Sequence, residues 1–336
     1  MVNYEAELSK LRLELVDTDF IKYRHSHNFR CLLCGSTFTS TLTQRKQAHH
    51  THNSVGCPTC AKSSKLHPTL NRLTNDISKL NIAVNINNKN SVNVGGLTVV
   101  LIPLTQQNEK TQVTSLVAQP DTIVLFEDEL TLKYDICYSK IIHKLQLNNY
   151  STIYARQCEV VHLDVKTKNQ FLNQFHIQQA DKSLVKLGLK YKHNIVAVMT
   201  FSKPRVAVGA KTNNQVGVYE LSRFATSSER VIGAASKLLT AFERQFNPVQ
   251  VYSFADRRWS TGNLYFKLGF ELTATNKPSY HYVINNTRKH RWAYRRDVIS
   301  KTLPNFNSQL TEHQNMINHG YHFVWDAGTL KFSKNI

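Results

Sequence analysis

Apolar and polar residues change their spacing several times along this chain, and the changes mark out its elements. Residues 4–15 repeat apolar positions at helical intervals and stop before Asp17 and Asp19, which predicts a short helix. Residues 37–43 alternate as a strand does, and the polar, basic stretch 45–52 follows. Further on, 66–80 predicts a helix, 82–86 and 97–104 predict two strands around the turn pair Gly95-Gly96, 122–126 a third strand and 136–147 another helix. After a polar break at Asn148-Asn149-Tyr150-Ser151, strands and helices alternate. Strands are predicted at 158–165, 187–192, 194–201, 216–224 and 249–255, helices at 168–175, 231–246 and 262–268, and a closing strand at 280–284.

Two C-x-x-C pairs, Cys31-Leu-Leu-Cys34 and Cys57-Pro-Thr-Cys60, stand about twenty residues apart with the turn residues Gly35, Gly56 and Pro58 beside them. That spacing predicts a four-thiolate structural zinc site: a zinc closed by four sulfurs has no open position for a reacting water. His49, His50 and His52 are alternative ligands that four thiols make unnecessary. Arg24, His25, His27 and Arg30 around Phe29 read either as a nucleic-acid-facing rim or as solvated surface. Cys137 and Cys158 fall on apolar faces and read as buried, inert thiols.

Composition narrows the partners. Lys and Arg number 42 against 23 Asp and Glu, for a formal charge of +19 and a sequence pI near 9.7. Such a field attracts polyanions, nucleic acid first among them. The run Arg288, Lys289, Arg291, Trp292, Arg295 and Arg296, with Tyr294 interleaved, is the candidate nucleic-acid contact; an exposed basic face is the bland reading. No stretch is long and apolar enough to span a membrane, the first residues do not form a signal peptide, and a cytoplasmic location is expected.

The densest chemistry lies at 228–243. Arg230, Gly233 and Ala235 stand in R-x-x-G-x-A spacing between a predicted strand and an amphipathic helix, with Ser236 next. A helix start carries unpaired N–H groups and the positive end of the macrodipole, and small residues let a phosphate approach the backbone.

These parts resemble the GNAT acyltransferase fold. The resemblance makes 218–221 the splayed strand that pairs with a pantetheine arm, with the amides near Glu220 orienting the thioester, and Arg230, Gly233 and Ala235 the loop for the coenzyme A pyrophosphate. Tyr265, within Asn263-Leu-Tyr265-Phe-Lys-Leu-Gly269-Phe270, takes the general-acid position. More narrowly, Tyr219-Glu-Leu-Ser-Arg223, Ser253-Phe-Ala-Asp256 and Phe175-His176 are similar to the phage Mom proteins, GNAT-like enzymes that modify adenine in DNA. That likeness implies an iron site at His176 and Asp256, and a coenzyme pocket shaped by Ser236 or Arg223. Read from the residues alone, His176 is equally a hydrogen-bonded core-edge histidine and Asp256 an ion-pair partner of Arg257 or Arg258.

A second resemblance covers most of the chain. The ribbon Phe29-Arg-Cys-Leu-Leu-Cys-Gly35, then Phe126-Glu-Asp-Glu-Leu130, Ile153-Tyr-Ala-Arg-Gln-Cys158, Phe201-Ser-Lys-Pro204, Arg258-Trp-Ser-Thr-Gly262 and Val324-Trp-Asp-Ala-Gly328 look like the Hef-type homing endonucleases of phages. Those carry a Vsr-like nuclease between ribbon and GNAT-like domain. Where that family has a Glu and an Asp on its early nuclease strand, this chain reads Gly96-Leu-Thr-Val-Val-Leu-Ile-Pro103, so only Glu127, Asp128 and Glu129 remain to hold a divalent ion such as magnesium.

The expected class is therefore α+β: a zinc ribbon at 1–66, a degenerate Vsr-like α/β region at 67–149, a GNAT-like mixed sheet at 150–285 and a basic extension at 286–336. Three readings follow. The chain is a DNA-binding member of the Hef-type family with an eroded nuclease centre, a GNAT- or Mom-like transferase using acetyl-coenzyme A, or a non-catalytic protein that grips double-stranded DNA with both remnants.

Overall fold

The computed structural model describes residues 4–52, 56–62, 66–147, 150–206 and 216–336. The side chains of 49–52 and the linker residues Asn148 and Asn149 lie outside the description. The structure is mixed α+β, and the chain divides into two compact units, each discontinuous in sequence. Unit 1 comprises Met1–Tyr134 with Pro278–Ala327, and unit 2 comprises Asp135–Lys277 with Gly328–Ile336. The division differs from one drawn at 66, 149 and 285, because strand adjacency is a long-range property that local spacing does not encode.

Unit 2 is built on one sheet. Its main strands are β1 (Glu159–His162), β2 (Val185–Tyr191), β3 (Asn194–Phe201), β4 (Val216–Thr226), β5 (Gln250–Asp256), β6 (Glu271–Thr275) and β7 (Thr329–Asn335), in the spatial order β6-β7-β5-β4-β3-β2-β1. All neighbours are antiparallel except β4 and β5, which run parallel. The expected closing strand at 280–284 is a correction. Tyr280–Ile284 pairs with Thr287–His290 and Phe323–Trp325 in a sheet of unit 1, and the strand that closes this sheet is β7.

Helices cover both faces of the sheet. Helix α1 (Val165–Phe175) starts at Asp164, whose carboxylate caps the Thr167 N–H, and packs Phe171 and Leu172 on Val198 and Ala225. On the other face, helix α2 (Ala234–Phe246) places Ala234, Ala235, Leu238, Leu239 and Phe242 along one stripe, against Leu187, Met199, Phe201 and Val251. Phe242 stacks on Phe201 with ring centroids 3.6 Å apart. Burial of each large side chain in this layer stabilises the unit by roughly 1.5–3 kcal/mol. A third, short helix α3 (Asn263–Lys267) follows β5.

Unit 1 begins with helix Tyr4–Leu11, which ends earlier than the apolar spacing predicts. Arg12 turns the chain with φ 55°, and Leu13–Leu15 enters a three-stranded antiparallel sheet with Ser26–Cys31 and Thr37–Thr41. After helix Pro68–Ser78 comes a four-stranded sheet of Val84–Asn88, Ser91–Val94, Leu97–Ile102 and Thr122–Phe126. The first three strands are antiparallel and the last pairs parallel with Leu97–Ile102. Ser91–Val94 was not predicted, since its polar residues disguise a strand whose Val92 and Val94 are buried.

Candidate functional site

In unit 1 the four cysteines converge. Their sulfurs all lie within 4.8 Å of one another, and among the described residues no other group of three or more potential metal ligands forms. The Sγ–Sγ separations are 3.6 Å for Cys31–Cys60 and 3.7 Å for Cys34–Cys57. A tetrahedral site with Zn–S bonds of about 2.3 Å requires roughly 3.8 Å between sulfurs, whereas a disulfide needs about 2 Å. Gly35, at φ +76°, turns the first knuckle. Hydrogen bonding among the four thiols lowers the pKa of Cys34 and Cys57 and raises that of Cys31 and Cys60, so they share protons unequally until a cation takes their place. The donor set fits a structural zinc. Of the expected rim, Arg24, His25 and Arg30 are exposed, but His27 is buried, stacked on Phe20 and hydrogen-bonded to Asp17 at 3.3 Å.

The acidic triplet does not gather into a cation site. Glu127 accepts the Leu104 N–H at 2.7 Å, pairs with the Arg12 guanidinium and lies 3.5 Å from His67 Nε2. Asp128 and Glu129 are both engaged by Arg288, at 2.9 Å and 2.7 Å. Burial pushes the Glu127 carboxyl up. The His67 hydrogen bond, the Arg12 charge and the Leu104 amide outweigh it and bring the pKa down to about 2. Each carboxylate thus already has a cation from its own chain, and the reading of Glu127, Asp128 and Glu129 as a divalent-metal centre loses its geometry. Arg288 is correspondingly withdrawn from the basic run: its side chain is 12% exposed and lies over the Phe126 ring. Lys289, Arg291, Trp292, Arg295 and Arg296 remain exposed, with Trp292 at 64%. Arg291 lies over the Tyr280 ring, Arg295 pairs with Asp297 and Arg296 donates to the Ser308 carbonyl.

In unit 2 the strands β4 and β5 are paired only over Val218–Glu220 and Gln250–Tyr252. Beyond that point β4 continues to Thr226 along β3 while β5 continues to Asp256 along β7, so the two splay. The expected splay therefore begins at Leu221, the last residue of 218–221, while 218–220 stay paired, and three side chains mark its apex. Ser253 donates its hydroxyl proton to the Leu221 carbonyl at 2.8 Å and lies 3.0 Å from the Tyr265 hydroxyl, which leaves Tyr265 as the donor in that second bond. Burial raises the Tyr265 pKa, so the phenol holds its proton at neutral pH. Glu220, at the last paired position, accepts from the Tyr252 hydroxyl at 3.3 Å.

Helix α2 follows β4 and one short strand in the chain. Gly233 is its N-cap, at φ +80°, and no side chain caps the helix. Gly233 and Ser236 are exposed, Ala235 is buried, and a Cβ at 233 would touch only Ala155, at 3.6 Å. The entrance is therefore open to an anion. Arg230 departs from expectation, lying in a short strand (Arg230–Ile232) that pairs parallel with Thr152–Tyr154, but it stays exposed. Lys237, which the sequence did not single out, steadies the turn below by donating to the carbonyls of Ala155 and Cys158 at 2.9 and 2.5 Å.

His176 and Asp256 belong to no cluster of metal ligands among the described residues. Asp256 is held by the Arg258 guanidinium at 2.6 Å, and His176 Nδ1 accepts the Gln178 N–H at 3.1 Å. Arg223 donates to the carbonyls of Gln179 and Ser222. The sequence also missed a buried ion pair: Lys168 meets Asp181 at 3.0 Å, and Asp181 accepts from Thr200 at 2.7 Å. Nothing in the local pattern marks it, because its members come from α1, the following loop and β3. Cys137 and Cys158 are buried thiols, as expected. Among the described residues no helix is long and apolar enough to cross a membrane.

No protein-family model matches the chain, and no curated protein matches it. Solved structures with detectable likeness include a GNAT family acetyltransferase from Elizabethkingia anophelis with acetyl-CoA bound, at 11% identity and a TM-score of 0.30, covering 54% of this chain and 99% of that one. Another is a Bacillus subtilis acetyltransferase in complex with CoA, at 13% identity and a TM-score of 0.29, covering 53% of this chain and 99% of that one.

Proposed function

We propose that unit 2 is a coenzyme A-dependent acyltransferase of GNAT type. The observation that carries the proposal is the uncapped, exposed start of α2 at Gly233, in a unit whose strands β4 and β5 splay apart. An anion seated there meets the free N–H groups of the first helical turn and the positive end of the helix dipole. The residues fit the group in three respects. Gly233 carries no side chain that would block a pyrophosphate, Ser236 adds an exposed hydroxyl, and the separated β4 strand leaves backbone groups for an extended pantetheine arm.

Acetyl-coenzyme A supplies an activated acyl group when bound. The chain's own work is to hold the coenzyme's phosphates at 233–236, align the arm along β4 and provide a proton donor at the splay. Tyr265 is that donor, kept protonated by burial and oriented through Ser253 to the Leu221 carbonyl. Glu220, half-buried one residue before the splay, is the carboxylate placed to act on an acceptor.

The charge of +19 favours a polyanionic acceptor, and we propose nucleic acid, met by the exposed Lys289, Arg291, Trp292, Arg295 and Arg296. A nuclease reading has nothing comparable, since the three carboxylates it needs are already engaged, Glu127 by Arg12 and Asp128 and Glu129 by Arg288.

Incubation of the full chain with acetyl-coenzyme A and DNA, followed by mass analysis of the nucleosides, tests the whole reading, and calorimetric titration with coenzyme A tests its first half. Tyr265→Phe should lower turnover by about a hundredfold while leaving coenzyme affinity unchanged. Absence of coenzyme binding at millimolar concentration refutes the transferase. Binding without a new nucleoside refutes the acceptor only.

A further inference from the structure

Unit 1 contains a cavity of about 590 Å³ between the Asn-rich hairpin 87–91, the inner face of Leu97–Ile102 and the loop into helix Gln112–Val117. Its size is that of an ordinary small-molecule site. Its lining is not that of an ordinary surface on this chain. Four asparagines and four glutamines stand among fifteen lining residues, with Ser91 and Thr98 adding hydroxyls and the rest aliphatic or proline. No lysine, arginine, histidine, carboxylate or aromatic residue lines it. In a protein of charge +19, a pocket without one ionisable group excludes an ionic ligand, because neither a phosphate nor an ammonium would find a counter-charge there.

We infer that this cavity takes a nucleobase. A base is neutral and flat, and it carries donors and acceptors side by side on its edges. A carboxamide offers one of each at matching spacing, which is how Asn and Gln read adenine bidentately. Gln106, Gln107, Gln112 and Gln119 are exposed, and their amide groups have no protein hydrogen-bond partner among the described residues, so they are free to pair with a ligand. Val100 and Ile102 supply the apolar floor for the ring. Asn90, on the wall, holds a buried Oδ1 with no partner, a group whose desolvation cost a ligand donor would remove. Asn108 is already spent on Trp325, whose N–H it accepts at 2.7 Å and whose carbonyl it donates to at 3.1 Å, and it fixes the loop that forms one side; in the hairpin Asn87 donates to the Ser91 hydroxyl at 3.3 Å and Asn88 accepts the Asn90 N–H at 2.9 Å. A sugar meets no aromatic face here and is the disfavoured occupant.

The base has two possible sources, a free nucleoside or an unstacked residue of a single strand, and the chemistry is shared. The test uses the full-length protein, with adenosine, glucose, and a short adenine-containing single-stranded oligonucleotide with its abasic counterpart as probes in ligand-observed NMR. Adenosine should bind and glucose should not. Gln112→Ala, at an exposed position, should weaken adenosine about tenfold with an unchanged melting curve, and Asn90→Ala should weaken it similarly. Loss of oligonucleotide affinity on abasic substitution assigns the pocket to a strand, and adenosine binding without that loss assigns it to free nucleosides. The inference is overturned if neither adenosine nor the oligonucleotide shows base-dependent binding, if glucose binds as well as adenosine, or if both variants bind as the wild type does. None of these outcomes depends on coenzyme A or acyl transfer, so the transferase reading stands or falls separately.

Discussion

Glu127→Gln isolates one buried charge. The glutamine keeps an oxygen for the Leu104 N–H but removes the anion that faces Arg12 and His67, both almost wholly buried with it. The carboxyl pKa falls from an ordinary 4.5 to about 2 in the fold. A folded-state pKa below the unfolded one contributes stability that is complete above the unfolded value and is lost as pH falls towards the folded value. At about 1.4 kcal/mol per unit, the separation corresponds to roughly 3 kcal/mol, close to the 3–5 kcal/mol typical of breaking a buried pair. Urea unfolding of wild type and variant, followed by far-ultraviolet circular dichroism, should show that difference in the unit 1 transition at about pH 7. The gap should narrow below pH 4.5 and approach zero near pH 2. A gap below about 1 kcal/mol at neutral pH, or one that does not change with acidification, refutes the claim that Glu127 is held as an anion by its neighbours.

Two further predictions address one unit each. Elemental analysis should find one zinc per chain, and its removal by a chelator, or Cys31→Ser with Cys57→Ser, should unfold the ribbon sheet; unchanged melting without metal would refute the site. Gly262→Ala should destabilise unit 2 by about 2–5 kcal/mol, because the residue sits at φ +92° and an added Cβ would lie 2.3 Å from the Phe332 ring; a thermal melt within 1–2 °C of wild type contradicts that packing.

Where local spacing decides structure, the sequence was readable. The stripe within 231–246 announced α2, the apolar runs at 194–201 and 249–255 announced β3 and β5, and the two C-x-x-C pairs announced the cysteine cluster. What escaped was set by distant partners. Strand β7 has a single fully buried residue, Phe332, and reads as a polar tail until β5 and β6 flank it. The acidic triplet and the arginine-rich run each suggested a site, and neither spacing discloses that Arg288 answers Asp128 and Glu129. The place of Gly233 at a helix start was legible because it stands between a strand-like run and an amphipathic stripe. The carboxamide cavity was not, since its residues come from a hairpin, a strand and a loop with no shared motif.

The chain leaves the unit 2 sheet at Lys277 and re-enters it at Gly328, where the two passages are clamped: Asn276 donates to the Thr329 carbonyl and hydroxyl, and Gly328 leaves no room for a side chain beside the Asn276 carbonyl. A ribosome must therefore synthesise the whole excursion before β7 can slot between β6 and β5. Until then the nascent chain presents β5 as a bare edge, open to mispairing with another copy. Both units draw on residues beyond 277 to complete their sheets, and chains released before residue 329 should accumulate as aggregates instead of as a smaller folded protein.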